Sequence, residues 1–153
     1  MTRYIKQYAE TTCGPVALIN SLKWAGIDAT HEKTLEKAKK ETAWDIEGVY
    51  TGPFIRGARK MGRGLFTVSH LQYTPKTVKN HILDGGAAYL THIAYDGIHH
   101  LSFAVEGDTR WCPFKIINAQ LRENEPTEYP LSEKAFTRLL RKASTYSYLI
   151  TKI

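Results

Sequence analysis

The chain has 153 residues, of which 42% are hydrophobic and 24% charged, and these values predict one soluble globular domain over residues 1–153. No apolar run is long enough to span a bilayer, and the first six residues lack the apolar stretch of a signal peptide, so we expect a cytoplasmic protein. The net charge of +6 would suit a nucleic-acid partner, but lysines alternate with glutamates between residues 32 and 41. Because no recognition-helix, zinc-finger or aromatic stacking motif accompanies the charge, the sequence does not favour nucleic-acid binding.

Helices are predicted mainly in the first half of the chain and strands mainly in the second. Apolar residues at helical spacing predict helices over residues 13–24, 31–40 (with Thr30 as N-cap), 52–61, 74–83 and a short segment after Ser132. Alternating residues predict strands over 65–68, 88–94, 100–105, 114–118 and 146–150, and residues 126–130 are predicted to be a loop. This order predicts an α+β fold, because strands and helices do not alternate regularly.

Cys13 is placed where the first helix begins. Pro15 suits the first turn of a helix, and apolar residues recur behind it at helical spacing. The unpaired amides and the positive end of the helix dipole should lower the pKa of the Cys13 thiol. Gly14 has no side chain, so a substrate backbone could approach the sulfur closely. The sequence therefore predicts a reactive thiol.

Gln7, a six-residue spacing and Cys13-Gly14-Pro15 before an apolar helix resemble the active-site start of papain-like cysteine peptidases. Within that superfamily they most resemble the bacteriocin-processing peptidases, which act on double-glycine leaders. The resemblance implies a papain-like fold in which a helical half carrying the nucleophile packs on a C-terminal antiparallel sheet. It implies that Cys13 is the nucleophile and that Gln7 supplies an oxyanion-hole amide. It also implies a peptide substrate cleaved after small residues such as Gly-Gly.

A thiol nucleophile needs a base, and histidine titrates in the required range. Of the six histidines, only His99 and His100 begin a strand that could lie across the core from the first helix. Strand alternation puts His99 on a bulky apolar face, which we expect to face the core. It puts His100 on a face of small residues, where a base could meet the thiol. We therefore predict His100 as the base, as the resemblance also does, with His99 as the alternative.

The base needs an acceptor on its other ring nitrogen, and Asn118 is the predicted acceptor. It ends a strand that should pair with the His100 strand through a turn near Gly107, so it returns to the His100 end of the pair. Asp108 is less suitable because it lies at the far turn. The bacteriocin-processing family usually has Asp-Pro at this place and this chain has Asn118-Ala119, whereas papain itself uses Asn.

The remaining chemistry-bearing residues do not suggest another site. Cys112 lacks a helix start and is interpreted as structural, and no cysteine or histidine spacing fits a zinc site, so no metal or cofactor is expected. The sequence thus predicts a cysteine peptidase that cleaves a peptide or isopeptide bond of a peptide or protein substrate. An acyltransferase or amidase with the same triad, and an inactive peptide-binding module on this fold, remain alternatives.

Overall fold

The structure is a computed structural model that describes residues 2–7, 11–29 and 32–153. These residues form five α-helices, each close to a helix predicted from the sequence. The helices are α1 (Cys13–Trp24), α2 (Glu32–Glu41), α3 (Thr51–Met61), α4 (Pro75–Leu83) and α5 (Glu133–Leu140). The predicted cap Thr30 and the predicted first residue of the second helix, His31, lie outside the described residues. None of the helices in the described ranges is long and apolar enough to cross a membrane.

Six strands within the described residues form one antiparallel sheet. They are β1 (Phe66–Gln72), β2 (Ala87–Ile93), β3 (His99–Glu106), β4 (Phe114–Ile117), β5 (Glu128–Leu131) and β6 (Tyr146–Lys152). Their order across the sheet is β1-β6-β2-β3-β4-β5, and every neighbouring pair is antiparallel. The predicted α+β class, with helices crowding the first half and an antiparallel sheet the second, is confirmed.

One strand lies where the sequence predicts a loop. Glu128–Leu131 form β5 and pair with β4 at one edge of the sheet, so the prediction of a loop over residues 126–130 is wrong for its last part. Pro130 hides this strand from sequence patterns, because proline cannot donate to a strand ladder and usually argues against a strand. An edge strand tolerates it because only one of its sides has a neighbour.

The sheet is covered on both faces. Helices α1 and α3 pack on one face, α2 packs against these two helices, and together they form a first core that includes Phe54, Tyr89 and Phe103. Helices α4 and α5 pack on the other face, where the rings of Phe114 and Phe136 stack with their centroids 4.5 Å apart. The central strands therefore have no solvent-facing side, which explains why β2 and β3 are almost continuously buried.

Burial on both faces changes the expected arrangement around β3. Leu101 and Phe103 face the first core, as predicted, and α1 packs on this side. The opposite face was expected to be open toward the thiol, and this expectation is wrong: Ser102 is 1% exposed and Ala104 belongs to the second core. However, β4 pairs with β3 only from Phe103 onward, so the backbone at the start of β3 is not covered by β4. The candidate site lies at this uncovered end.

Candidate active site

Cys13 is the first residue of α1, as the sequence predicts. The amide of Val16 donates to the carbonyl of Thr12 at 3.0 Å, which closes the first turn around the cysteine. Behind it, Leu18, Ile19 and Leu22 are buried in the first core and fix the helix against the sheet. The position of the sulfur is therefore set by the packing of the whole helix rather than by a mobile loop.

Gly14 has a structural role different from the one expected. A Cβ at this residue would lie 2.4 Å from a methyl group of Val49, and Gly14 itself is buried. The close approach that glycine allows is thus made by Val49, from the segment between α2 and α3, and not by a substrate. Glycine at this position lets that segment pack directly against the start of the nucleophile helix.

The environment of the Cys13 thiol favours its protonated form. Burial raises the pKa of the thiol above its ordinary value, while hydrogen bonding to the backbone of Leu101, Gly14 and Cys13 itself acts in the opposite direction. The lower pKa expected from the helix start is therefore not found, because loss of hydration outweighs the helix amides. The Leu101 contact places the sulfur beside the residue that follows His100 in the chain.

His100 is held by one ring nitrogen. The side chain is 5% exposed, and its Nε2 is hydrogen-bonded to the backbone carbonyl of Asn118. Because a carbonyl only accepts, Nε2 carries the proton and Nδ1 carries the lone pair of the neutral ring. Nδ1, the nitrogen that can accept a proton, has no hydrogen-bond partner among the described residues and is not completely buried.

Burial also determines the protonation state of His100. It lowers the pKa of the imidazole below its ordinary value, although the hydrogen bond to Asn118 and the charge of Asp96 act in the opposite direction. A neutral imidazole is the form that can take a proton from a neutral thiol. No hydrogen bond joins the thiol to an imidazole within the described ranges, and such contacts often tighten only when a substrate binds.

Asn118 lies beside His100, but its side chain makes a different contact from the one predicted. We expected the side-chain amide to accept from His100, whereas the acceptor is the Asn118 carbonyl. The residue adopts a left-handed conformation with φ of 56°, which Asn tolerates better than most residues. Its Nδ2 donates to Oε1 of Gln7 at 2.9 Å, and its Oδ1 accepts from the Gln7 backbone amide at 3.3 Å.

Gln7 is oriented by this contact. Because its Oε1 accepts from Asn118, the side-chain amide of Gln7 has a defined orientation, with its NH2 donors at the other end. Gln7 lines the same cavity as Cys13 and His100. A donor in this position is what an oxyanion requires.

Three of the four predicted site residues, Gln7, Cys13 and His100, line one cavity of about 420 Å³, whereas Asn118 is not among its lining residues. Its other walls come mainly from the segment between α2 and α3, from the turn between β2 and β3, and from the first residue of β3. The remaining lining residues are Thr11, Glu47, Gly48, Val49, Ala94, Tyr95, Asp96, Ile98, His99 and Gln120. The amide of Tyr95 donates to the carbonyl of Gln120 at 2.8 Å, which ties the β2–β3 turn to the segment after β4.

A larger surface depression of about 710 Å³ lies between α4 and α5, on the other side of the sheet. It is lined mainly by charged side chains and contains neither a cysteine nor a histidine. The chemistry that the sequence predicts is therefore found in the smaller cavity. No group of three or more His, Cys, Asp or Glu side chains in residues 2–7, 11–29 and 32–153 is arranged to hold a metal ion.

Sequence reasoning did not identify His92 and Ser102, which lie on the same sheet face as His100 and next to it. His92 pairs with His100 across β2 and β3, and their ring centroids are 5.5 Å apart. His92 is fully buried, and its Nε2 lies 3.0 Å from Oγ of Ser102. A three-residue loop over 95–97 gives this register, because Ala94 then pairs with Ile98 and residue 92 lies opposite residue 100; the Asp96-Gly97 sequence could have suggested such a loop.

Comparisons with known proteins agree with the fold. No known protein-family profile matches the chain, and no curated protein sequence matches it. Among solved structures, the chain resembles a candidate C39-like peptidase from Bacillus anthracis, with a TM-score of 0.61, 14% sequence identity, and coverage of 96% of this chain and 94% of that chain. The avirulence protein AvrPphB from Pseudomonas matches with a TM-score of 0.43 and 10% identity, over 92% of this chain and 91% of that chain. The chain thus has the fold of the C39-like protein, and this confirms the predicted fold class.

Proposed function

We propose that the protein is a cysteine peptidase that cleaves a peptide or isopeptide bond with Cys13 as nucleophile and His100 as base. The main support is that the Asn118 carbonyl holds Nε2 of His100, which leaves the lone pair on Nδ1, and that His100 lines the same cavity as Cys13. A base needs this combination of a fixed tautomer and an accessible lone pair. The fold shared with a candidate C39-like peptidase adds independent support for a peptidase scaffold.

The first chemical step forms a covalent intermediate. As Cys13 Sγ attacks the carbonyl carbon of the scissile bond, its proton passes to Nδ1 of His100, and the carbonyl oxygen becomes an oxyanion. The side-chain NH2 of Gln7 and the backbone amide of Cys13 stabilise that oxyanion; such a donor contributes about 3 to 4 kcal/mol in other enzymes. Nδ1 then returns the proton to the departing nitrogen as the C–N bond breaks, which leaves a thioester on Cys13.

The second step regenerates the thiol. A water molecule gives a proton to Nδ1 of His100 and attacks the thioester carbon. The C–S bond then breaks, and the proton returns to the sulfur. Asn118 acts twice, because its carbonyl holds the imidazole and its side chain holds Gln7. The reaction needs Cys13 reduced, and this suits a reducing compartment such as the cytoplasm.

The cavity and the resemblance of residues 7–15 indicate the class of substrate. A cavity of about 420 Å³ accommodates a short stretch of peptide, and its rim carries the exposed side chains of Tyr95 and Ile98. Cleavage after small residues such as Gly-Gly is supported by the resemblance of residues 7–15 to bacteriocin-processing peptidases. An amine in place of water would make the same site an acyltransferase, and an added amine nucleophile in the assay distinguishes the two products.

The test is cleavage of a peptide library, read by mass spectrometry, with the protein and its Cys13→Ala variant. We expect cleavage by the protein, complete loss with Cys13→Ala, and unchanged cleavage with Cys112→Ser, which removes the other free cysteine. Cleavage that survives Cys13→Ala would overturn the proposal. A protein that binds peptides equally well with and without the Cys13 sulfur, and cuts none, would instead be a binding module.

His99 is the alternative base, and one observation favours it. It shares its strand face with Leu101 and Phe103, the side on which α1 packs, and it lines the same cavity. His100→Ala should abolish cleavage while His99→Ala leaves most of it, because, of these two histidines, His100 is the one with a ring nitrogen hydrogen-bonded to a carbonyl. The opposite result would assign the base to His99.

A further inference from the structure

His92 and Ser102 form a buried polar pair on a sheet face that is mostly apolar. The neighbouring residues on this face include Ala88, Leu90 and Ala104, all in the second core. His92 is 0% exposed and Ser102 is 1% exposed. Burying polar groups in such a core is unfavourable unless every donor and acceptor is paired. The pair therefore needs a structural or functional reason.

The hydrogen bonds of this pair are complete. Nδ1 of His92 lies 3.2 Å from the carbonyl of Ile93, so this nitrogen carries the proton and donates. Nε2 then has the lone pair and accepts from the hydroxyl of Ser102 at 3.0 Å. Both ring nitrogens are used inside the protein, so His92 has no nitrogen left to act as a base. Its ring has one tautomer and one orientation.

The fixed ring lies directly against His100. The two imidazoles are cross-strand partners, and their planes make an angle of 67° with the centroids 5.5 Å apart. Ser102, which holds His92, is two residues from His100 on the same face of β3. The His100 ring is thus confined by His92 behind it and by the Asn118 carbonyl at Nε2.

We propose that His92 and Ser102 are positioning residues that hold the His100 imidazole in the orientation that leaves Nδ1 open to the cavity. This inference rests on the proposed role of His100 as base. Neither residue is among those that line the cavity of Cys13. A buried pair that only filled the core would be replaceable by apolar side chains of similar shape.

Two variants test this role. His92→Phe keeps an aromatic ring in the core and removes both hydrogen bonds, and Ser102→Ala removes only the hydroxyl that fixes the His92 ring. Thr91→Val is the matched control. Thr91 precedes His92 on the same strand, and its own hydroxyl is buried and makes no hydrogen bond, so the substitution removes a buried hydroxyl without affecting the His92 ring. Each variant is made in the active protein for kinetics and in the Cys13→Ala protein for nitrogen-15 spectra of the histidine side chains.

In the kinetic assay, we expect His92→Phe and Ser102→Ala to lower kcat by roughly 10- to 100-fold with little change in KM, since misplacing a catalytic group affects the chemical step. Ser102→Thr, which keeps the hydroxyl, should recover part of the loss, and Thr91→Val should change neither constant. In the spectra, His100 should change from one tautomer, protonated at Nε2, to a mixture.

Unchanged kcat and an unchanged His100 spectrum in both His92→Phe and Ser102→Ala would overturn the positioning role. If His92→Phe does not fold, Ser102→Ala decides alone, because it removes a single atom from the core. The spectra do not require activity, so they distinguish a failure of the positioning role from a failure of the proposed function. An altered His100 spectrum in a protein that cleaves no peptide would contradict the proposed function and leave the positioning role supported.

Discussion

The side-chain amide of Asn118 makes two hydrogen bonds to Gln7, one to its side chain and one to its backbone amide. The distances are 2.9 Å from Asn118 Nδ2 to Gln7 Oε1 and 3.3 Å from the Gln7 amide to Asn118 Oδ1. These residues are 111 positions apart in the chain. The contact joins the segment before the nucleophile to the segment that holds the base, so both halves of the site depend on it.

Gln7→Ala should lower kcat by about 100-fold, because it removes one oxyanion donor. KM should change little, since the donor interacts mainly with the charge that develops in the transition state. Steady-state kinetics on any substrate found by the library screen measures both constants. Gln7→Glu is the matched control: it keeps the size of the side chain, lacks the NH2 donor, and should be as impaired as Gln7→Ala. Activity near that of the unmodified protein in Gln7→Glu would remove Gln7 from the mechanism.

Substitutions at Asn118 should separate the side chain from the backbone. Asn118→Gly removes the contact with Gln7 and accepts a φ of 56° without strain, whereas Asn118→Ala also costs about 1 kcal/mol of stability because alanine disfavours that conformation. Both variants should lose activity to a similar extent, because both lose the side chain that contacts Gln7. Both also keep the backbone carbonyl that holds His100, so the remaining activity should be the same. Denaturant unfolding together with kinetics measures the two effects. Equal stability of the two variants would contradict the assigned backbone conformation.

The Cys13 thiol should be alkylated slowly at neutral pH. Because burial raises the pKa of Cys13, the thiolate fraction at pH 7 is smaller than that of an unfolded cysteine, and it should increase only as the pH rises above the ordinary thiol value. The measurement is the rate of iodoacetamide labelling from pH 6 to 10 in a Cys112→Ser background, with the urea-unfolded protein as the reference. Fast labelling at pH 6 would indicate a thiolate–imidazolium pair at rest.

Stability should decrease in mild acid because of His92. Burial lowers the pKa of His92 to about 4 from an ordinary value of 6.5, and the neighbouring His100 acts in the same direction. The unfolded chain binds a proton near pH 6.5 and the folded protein does not, so the free energy of unfolding falls as the pH drops from 6.5 toward 4. The loss due to this residue reaches about 3 kcal/mol at pH 4. Urea unfolding at pH 7, 5 and 4 measures it, and His92→Phe should show a shallower dependence.

Substrates with a basic residue near the scissile bond should be preferred. The charged side chains lining the cavity, within the part of the chain that the structure describes, are Glu47 and Asp96, although the whole protein carries a net charge of +6. Replacing both with lysine should reverse the preference between lysine- and glutamate-containing peptides. Glu123→Lys, an exposed acid outside the cavity, is the control. A preference that does not respond to the double substitution would show that these carboxylates do not contact the substrate.

The sequence predicted much of this architecture because the local signals agree with it. Pro15 and the apolar spacing behind Cys13 were sufficient to place α1, and Ser132 does cap α5, with its hydroxyl accepting from the amide of Ala135 at 3.1 Å. Asn118 could be brought near His100 because a single turn fixes the register of β3 and β4. These predictions depend on short stretches of chain and on one strand pairing.

The features that were missed depend on contacts between distant segments. The packing of Val49 against Gly14 and the cover of α4 and α5 over the His100 face leave no local pattern in the sequence. The pKa of Cys13 was predicted in the wrong direction because the helix start is visible in the sequence and the degree of burial is not. His100 contacts the carbonyl of Asn118 and not its side chain. This follows from the left-handed backbone of Asn118, which residue type alone does not determine.

The two edges of the sheet restrict how the molecule can associate with copies of itself. At one edge, Pro130 has no amide hydrogen to offer to an incoming strand, and at the other the ladder of β1 with β6 is interrupted between Val68 and Leu71. Irregular edges of this kind prevent one sheet from continuing into the next. The protein should therefore resist fibre formation at high concentration, and Pro130→Val is the substitution expected to weaken that resistance.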